Sequence, residues 1–245
     1  MIRHLACLAL AQALCFSIAM ADRAPVNDKP VPENREDLLA IQNAVTDSLA
    51  QAGAATVAIE IAEGSGTGVI VSPDGLILTA AHVSGAPGKN VGVILQDGKR
   101  VNAVTLGLDS ESDAAMVRIT DPGTWPFVEI EKSQSCQLGD WVFALGHSGG
   151  FDKERGLVLR PGRIVRIADR SLQSDCVLIG GDSGGPLFDI KGRLIAIHSR
   201  VGHELVVNMH VGIKVFQENW GALLNSEFLG DGPFAKKPSA AAETP

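Results

Sequence analysis

Cysteine is scarce in this 245-residue chain, with four in all. Two of them, Cys7 and Cys15, lie in an N-terminal apolar run. That leaves Cys136 and Cys176 to form either one disulfide or two buried thiols in an oxidising compartment. Basic charge is also short: 21 Lys and Arg stand against 28 Asp and Glu, a net charge of −7. Nucleic acid and anionic membrane surfaces are therefore not expected partners. Long apolar runs are confined to Leu5–Met20, which is short for a membrane span. Arg3 and His4 precede that run and Ala19-Met20-Ala21 ends it. Residues 1–21 thus read as a secretory signal, cleaved to leave an exported, periplasmic or secreted protein without stable membrane association. No internal repeat occurs. His147, His203 and His210 lack a metal-ligand spacing. Gly64-x-Gly66-x-Gly68 has no lysine, and a strand pattern follows where a phosphate loop needs a helix N-terminus. No metal or other cofactor is expected.

What remains is patterned. Residues 22–34 are polar and Pro-rich, a disordered lead-in by composition. Leu38, Ile41, Val45 and Leu49 recur at helical spacing, which predicts an amphipathic helix over 35–53, closed by Gly53. From Ala54 the period changes to short aliphatic runs: 55–62, 68–72, 76–79, 90–95, 101–106 and 114–119. After Asp121-Pro122-Gly123 a second set follows at 127–130, 141–145, 157–167, 176–179, 186–189, 194–199 and 205–215. Short strands at even spacing, split by a Pro/Gly linker, predict an all-β fold of two antiparallel six-stranded barrels, 54–120 and 126–225. A closing helix over 216–224 and a flexible tail over 226–245 complete the expectation.

The chemistry lies in three separated segments. Thr79-Ala80-Ala81-His82 supplies an imidazole, Ser112-Asp113-Ala114-Ala115 a carboxylate, and Gly181-Asp182-Ser183-Gly184-Gly185-Pro186-Leu187 a hydroxyl among glycines. A serine hydroxyl is a weak nucleophile at neutral pH. It needs an imidazole to take its proton and a carboxylate to hold that imidazole in one tautomer. The glycine-rich turn can present backbone N–H donors to a developing oxyanion.

These segments, with Gly64–Val71 ahead of them, resemble the chymotrypsin-like serine peptidases, and the bacterial Deg/HtrA-type branch in particular, over roughly residues 54–216. The resemblance implies peptide hydrolysis, with protein or peptide substrates and no metal. His82 would be general base, Asp113 its orienting acid and Ser183 the nucleophile, with Gly181 and Ser183 N–H as oxyanion hole. Ser199 matches the serine that supports the aspartate and binds substrate backbone. Asp109 is the rival carboxylate.

Two departures bear on function. Asp182 matches the aspartate that pairs with a new N-terminus in digestive enzymes, but no Ile-Val-Gly-Gly-like start preceded by Arg or Lys exists here, so another cation such as Arg163 or Arg166, or capping by backbone donors, is expected to serve instead. A PDZ domain, usual in the Deg/HtrA type, is not expected.

His198, just before Ser199, stands where bacterial glutamyl endopeptidases use a histidine to bind an acidic side chain. His210 is expected to face the same pocket, with Arg200 at its rim and the uncharged Val177 at its base. An acidic residue before the scissile bond is the expectation; a pocket for a small apolar residue is the alternative. Two rival readings stand beside these. Gly146-His147-Ser148-Gly149-Gly150 matches the nucleophile elbow of an α/β-hydrolase esterase, with Asp182 or Asp189 and then His198, His203 or His210 following in order. The scaffold could also carry a non-catalytic secreted binding module.

Overall fold

The computed structural model describes residues 23–61, 64–131, 136–202 and 207–237. The leader 1–21, His203 and the last eight residues of the expected tail lie outside them.

Six strands close the first barrel: β1 (Thr56–Ile61), β2 (Gly64–Ile70), β3 (Leu76–Thr79), β4 (Asn90–Ile94), β5 (Arg100–Asp109) and β6 (Ala114–Ile119). Their order is β5-β4-β1-β2-β3-β6, with β6 returning to β5, and every pairing is antiparallel. The helical turn α2 (Ala81–Ser84) interrupts the barrel after β3 and carries His82. The second barrel comprises β7 (Trp141–Gly146), β8 (Val158–Ile167), β9 (Ser171–Ser174), β10 (Pro186–Asp189), β11 (Leu194–Val201) and β12 (Asn208–Gly212), closed in the order β10-β11-β12-β9-β8-β7. Closure removes the exposed sheet edges that a six-strand run would otherwise present. Inward residues such as Ile59, Leu78, Met116, Phe143 and Phe188 are fully buried, and Phe143 stacks on Phe188 at 5.1 Å between centroids.

Helix α1 (Arg35–Ala55) begins where Asn34 Oδ1 accepts the Asp37 N–H at 2.9 Å, the capping role that favours Asn. It runs two residues past Gly53, which is buried against Gln96 and Leu157 and does not end it. Ile41 and Val45 are buried, whereas Leu38 faces solvent.

Several expected boundaries are corrected. The lead-in is ordered from Arg23: a 3₁₀ turn spans Pro25–Asn27, Arg23 pairs with the buried Asp140 at 2.5 Å, and Asn27 Oδ1 accepts the Trp141 N–H. Side-chain pairing overrode composition there. Residues 127–130 form only an isolated bridge, Ile130 to Leu194, and 176–179 is loop, the ninth strand lying earlier at Ser171–Ser174. After β12 the chain turns directly into α3 (Ile213–Glu218) and α4 (Trp220–Leu224). The tail is not free either, because β13 (Phe228–Leu229) pairs parallel with β5 at Leu108 and Asp109.

Cys136 and Cys176 are free thiols. Burial among the second-barrel residues pushes both up to about 11, so neither is a thiolate near neutral pH. Among the described residues no helix is long and apolar enough to cross a membrane. Nor does any group of three or more His, Cys, Asp or Glu stand ready for a metal ion.

Candidate active site

Asp113 is the centre of the site. Its carboxylate is fully buried and its backbone sits at φ +65°, a left-handed conformation that Asp tolerates better than most residues. From there Oδ1 accepts the His82 backbone N–H at 3.1 Å and faces His82 Nδ1 at 2.9 Å. Oδ2 lies 3.0 Å from Nδ1 and accepts the Ser199 hydroxyl at 2.5 Å. Ala81 N–H donates to the Asp113 carbonyl, so α2 and the β5–β6 connection are tied twice. His82 is the more open member, about a third of its side chain reaching solvent. Asp109 takes no part: it caps Glu111 and Ser112 and pairs with Arg170.

Ser183 comes from the second barrel, between β9 and β10. Its carbonyl accepts the Thr67 N–H of β2 at 2.8 Å, and Gly184 N–H donates to the His198 carbonyl beside Ser199. A Cβ at Gly184 (φ +83°) would run into Thr79 Oγ1 and the Thr67 carbonyl, which is why glycine follows the serine. Among the described residues no hydrogen bond joins Ser183 Oγ to His82 Nε2. Such contacts are often long before substrate arrives and tighten in the complex.

The turn 181–185 leaves a specific pair of donors. Asp182, Gly184 and Gly185 direct their N–H groups to Ile179, His198 and Asp182 carbonyls, respectively. Gly181 and Ser183 have no such partner among the described residues. The Gly180 carbonyl accepts Gly149 N–H at 2.6 Å. In a trans peptide C=O and N–H point opposite ways, so the Gly181 N–H is turned away from Gly149.

Asp182 is locked from the other side. Its partner is Arg160 of β8, at 3.1 Å, and not Arg163 or Arg166. Arg163 instead donates to the Gly139 and Pro30 carbonyls and lies over Trp141. Ser148 Oγ donates to Asp182 Oδ1 at 2.7 Å and accepts from Arg160 at 2.7 Å. Ser148 is thus buried and committed, and among the described residues no imidazole is hydrogen-bonded to it and no helix follows it directly. Together with the all-β architecture, this removes the nucleophile-elbow reading.

A cavity of about 100 Å³ opens beside Ser183, lined by Leu178, Ile179, Gly180 and His198–Val201. Val177 is not at its base; the residue is exposed and outside the lining. His210 does not line it either, but backs His198, with Nδ1 of each ring 3.0 Å apart and His210 Nε2 2.7 Å from Ser174 Oγ. Burial pushes His198 well down and His210 to about 3, so both are neutral at physiological pH. His147, buried against Phe151 with neither ring nitrogen hydrogen-bonded, is lowered to about 4 for the same reason.

These three rings make a prediction for stability. In the unfolded chain each titrates near about 6.5, so below that pH the unfolded state binds more protons. Stability is full above about 6.5 and declines as pH falls towards about 4. The urea midpoint is expected to be lower at pH 5 than at pH 7.5. A midpoint unchanged across that interval would contradict the buried neutral assignment.

Arg160, Thr67 and Gly149 were not legible as site residues, because each acts through a partner distant in sequence. The trypsin-like peptidase domain family matches residues 66–197. A DegP-like periplasmic serine endoprotease of Rickettsia conorii is 30% identical over 158 residues, covering 61% of this chain and 31% of its own. A like-named protein of Ectopseudomonas mendocina is 32% identical over 169 residues, 64% of this chain and 35% of its own. The chain therefore spans about a third of the length of these curated relatives. Among solved structures, "HtrA-type protease AlgW with tripeptide" shares the fold, with a TM-score of 0.65 at 24% identity over 74% of this chain and 63% of that one. The family match starts at Gly66, beside the Thr67 that fastens the Ser183 turn, and ends next to His198. It takes in the imidazole, the carboxylate and the hydroxyl together, and the chain belongs to the trypsin-like peptidase domain family.

Proposed function

We propose that this protein is an exported, periplasmic serine endopeptidase that cleaves protein or peptide substrates after an acidic residue. The observation that carries the hydrolytic reading is the buried Asp113 carboxylate holding both the His82 ring and Ser199. With Nδ1–H donated to Asp113, Nε2 of His82 is the bare nitrogen, able to take the Ser183 proton as Oγ attacks the scissile carbonyl. The oxyanion is received by the unpartnered N–H groups of Gly181 and Ser183. Protonated His82 then gives its proton to the leaving amine, and water repeats the cycle on the acyl-enzyme. Export follows the N-terminal apolar run and the periplasmic naming of the relatives.

The acidic preference rests on the two nitrogen-bearing residues in the cavity lining, His198 and Arg200. Ser174 Oγ accepts the Cys176 N–H at 3.3 Å and lies 2.7 Å from His210 Nε2. Nδ1 of His210 and Nδ1 of His198 lie 3.0 Å apart, one donating to the other. Nε2 of His198 is buried on the side of the Leu145 carbonyl. A hydrogen bond to an ionised acceptor is roughly twice as strong as one to a neutral acceptor, so a lining that carries His198 and Arg200 favours a carboxylate.

A fluorophosphonate probe is expected to label Ser183 in the intact protein and not in Ser183→Ala. A peptide library is expected to show Glu enriched before the cut, and the enrichment lost in His198→Val. A wild-type protein that neither labels nor cleaves would defeat the reading, and cleavage without acidic enrichment would remove the specificity alone.

A further inference from the structure

The C-terminal segment folds back on the site. After β13, the Ser110 N–H and Oγ donate to the Leu229 carbonyl, Gly232 N–H donates to Ser110 Oγ at 2.9 Å, and Phe234 N–H donates to the Ser110 carbonyl at 3.2 Å. Phe234 and Ala235 pack on Ala81, Leu108 and Ala115, next to the residues that hold His82 and Asp113. The Phe234 ring thereby comes under the Arg200 guanidinium, 5.2 Å from the ring centroid. Arg200 is exposed, and no carboxylate among the described residues pairs with it.

The edge of β11 explains why this matters. β10 pairs with β11 only as far as Ile197, while β12 continues along the other side to Val201. Among the described residues, Ser199, Arg200 and Val201 thus have no strand paired on that edge, beside Ser183. An extended peptide can add there as one more strand, through main-chain hydrogen bonds. Its residue in the 100 Å³ cavity lies beside Ser199, so the next residue upstream lies beside Arg200. Side chains alternate along a strand, which turns that second residue away from the cavity and towards the first barrel. Arg200 and Phe234 stand on that side.

We infer that Arg200, held flat by Phe234, forms a subsite for a carboxylate side chain two residues before the scissile bond. The inference rests on the endopeptidase reading above. The aromatic face fixes a long side chain whose rotamer freedom would otherwise weaken the contact, and the planar guanidinium matches a carboxylate bidentately. The subsite is built jointly by β11 and the segment that follows β13.

The test uses the intact protein and peptides with glutamate fixed before the cut and Glu, Gln, Ala or Lys at the second position. In wild type, kcat/KM is expected to favour Glu over Gln by about fivefold, a ratio that shrinks with added salt. In Arg200→Met, and separately in Phe234→Ala, the Glu/Gln ratio should fall to within about twofold of unity. Because the readout is a ratio within each variant, a general loss of rate cancels. A wild-type ratio near one, or a ratio kept by both variants, overturns the subsite while leaving the peptidase reading intact. A wild-type protein that the fluorophosphonate probe does not label overturns both.

Discussion

Replacing Asp113 by asparagine is expected to lower kcat by about four orders of magnitude, with KM nearly unchanged. The substitution keeps shape and tolerates the positive φ that Asp113 adopts. The His82 backbone N–H keeps an oxygen at the Oδ1 position. The new amide NH₂ then lies where Oδ2 now meets both His82 Nδ1 and Ser199 Oγ. A donor facing Nδ1 favours the tautomer with its proton on Nε2, and that nitrogen is then unable to accept from Ser183. The negative charge that would stabilise the imidazolium is lost in every arrangement. Steady-state kinetics with the preferred peptide checks this, and a kcat within tenfold of wild type would remove Asp113 from the mechanism.

The second large effect is expected at Arg160. In Arg160→Met the Asp182 carboxylate, fully buried, keeps only the Ser148 hydroxyl and the Ile179 N–H. Removing one partner of a buried ion pair costs roughly 3–5 kcal/mol. For a domain of this size that is a fall in Tm of about 10 °C. Catalysis should suffer separately. Asp182 directs the turn that carries the Gly181 and Ser183 donors, and losing one oxyanion donor costs about 10²–10³ in kcat. The expected pattern is a fall in kcat well below the melting transition, with little change in KM. Adding Asp182→Asn to Arg160→Met removes the stranded charge and should restore most of the Tm without restoring kcat. Full kcat in the single variant at a temperature where it is folded would show that the ion pair serves stability only.

Much of this fold was legible because it is local. Alternation and turn residues marked β3, β6 and β10 at their observed limits, and helical spacing placed α1 to within two residues at its C-terminal end. The misplaced elements are those with weak local signals. Ser171-Leu172-Gln173-Ser174 has little strand character, yet it pairs with both β8 and β12. The apolar Cys176–Ile179 looks like a strand, but the Asp182 carboxylate accepts the Ile179 N–H and bends it into the active-site turn. The tail and the lead-in, polar in composition, are held by residues distant in sequence, among them the buried Ser110 and Asp140.

The order His, Asp, Ser with its flanking glycines is a chemical statement, and the linear chain was enough to make it, because each reactive group needs its own immediate neighbours. Partners drawn from distant strands are another matter. That Arg160 answers Asp182, that His210 stands behind His198, and that Phe234 supports Arg200 depend on how two closed barrels and a returning tail bring together residues between 12 and 34 positions apart. Burial then sets the protonation of those groups, and burial exists only once the chain has folded.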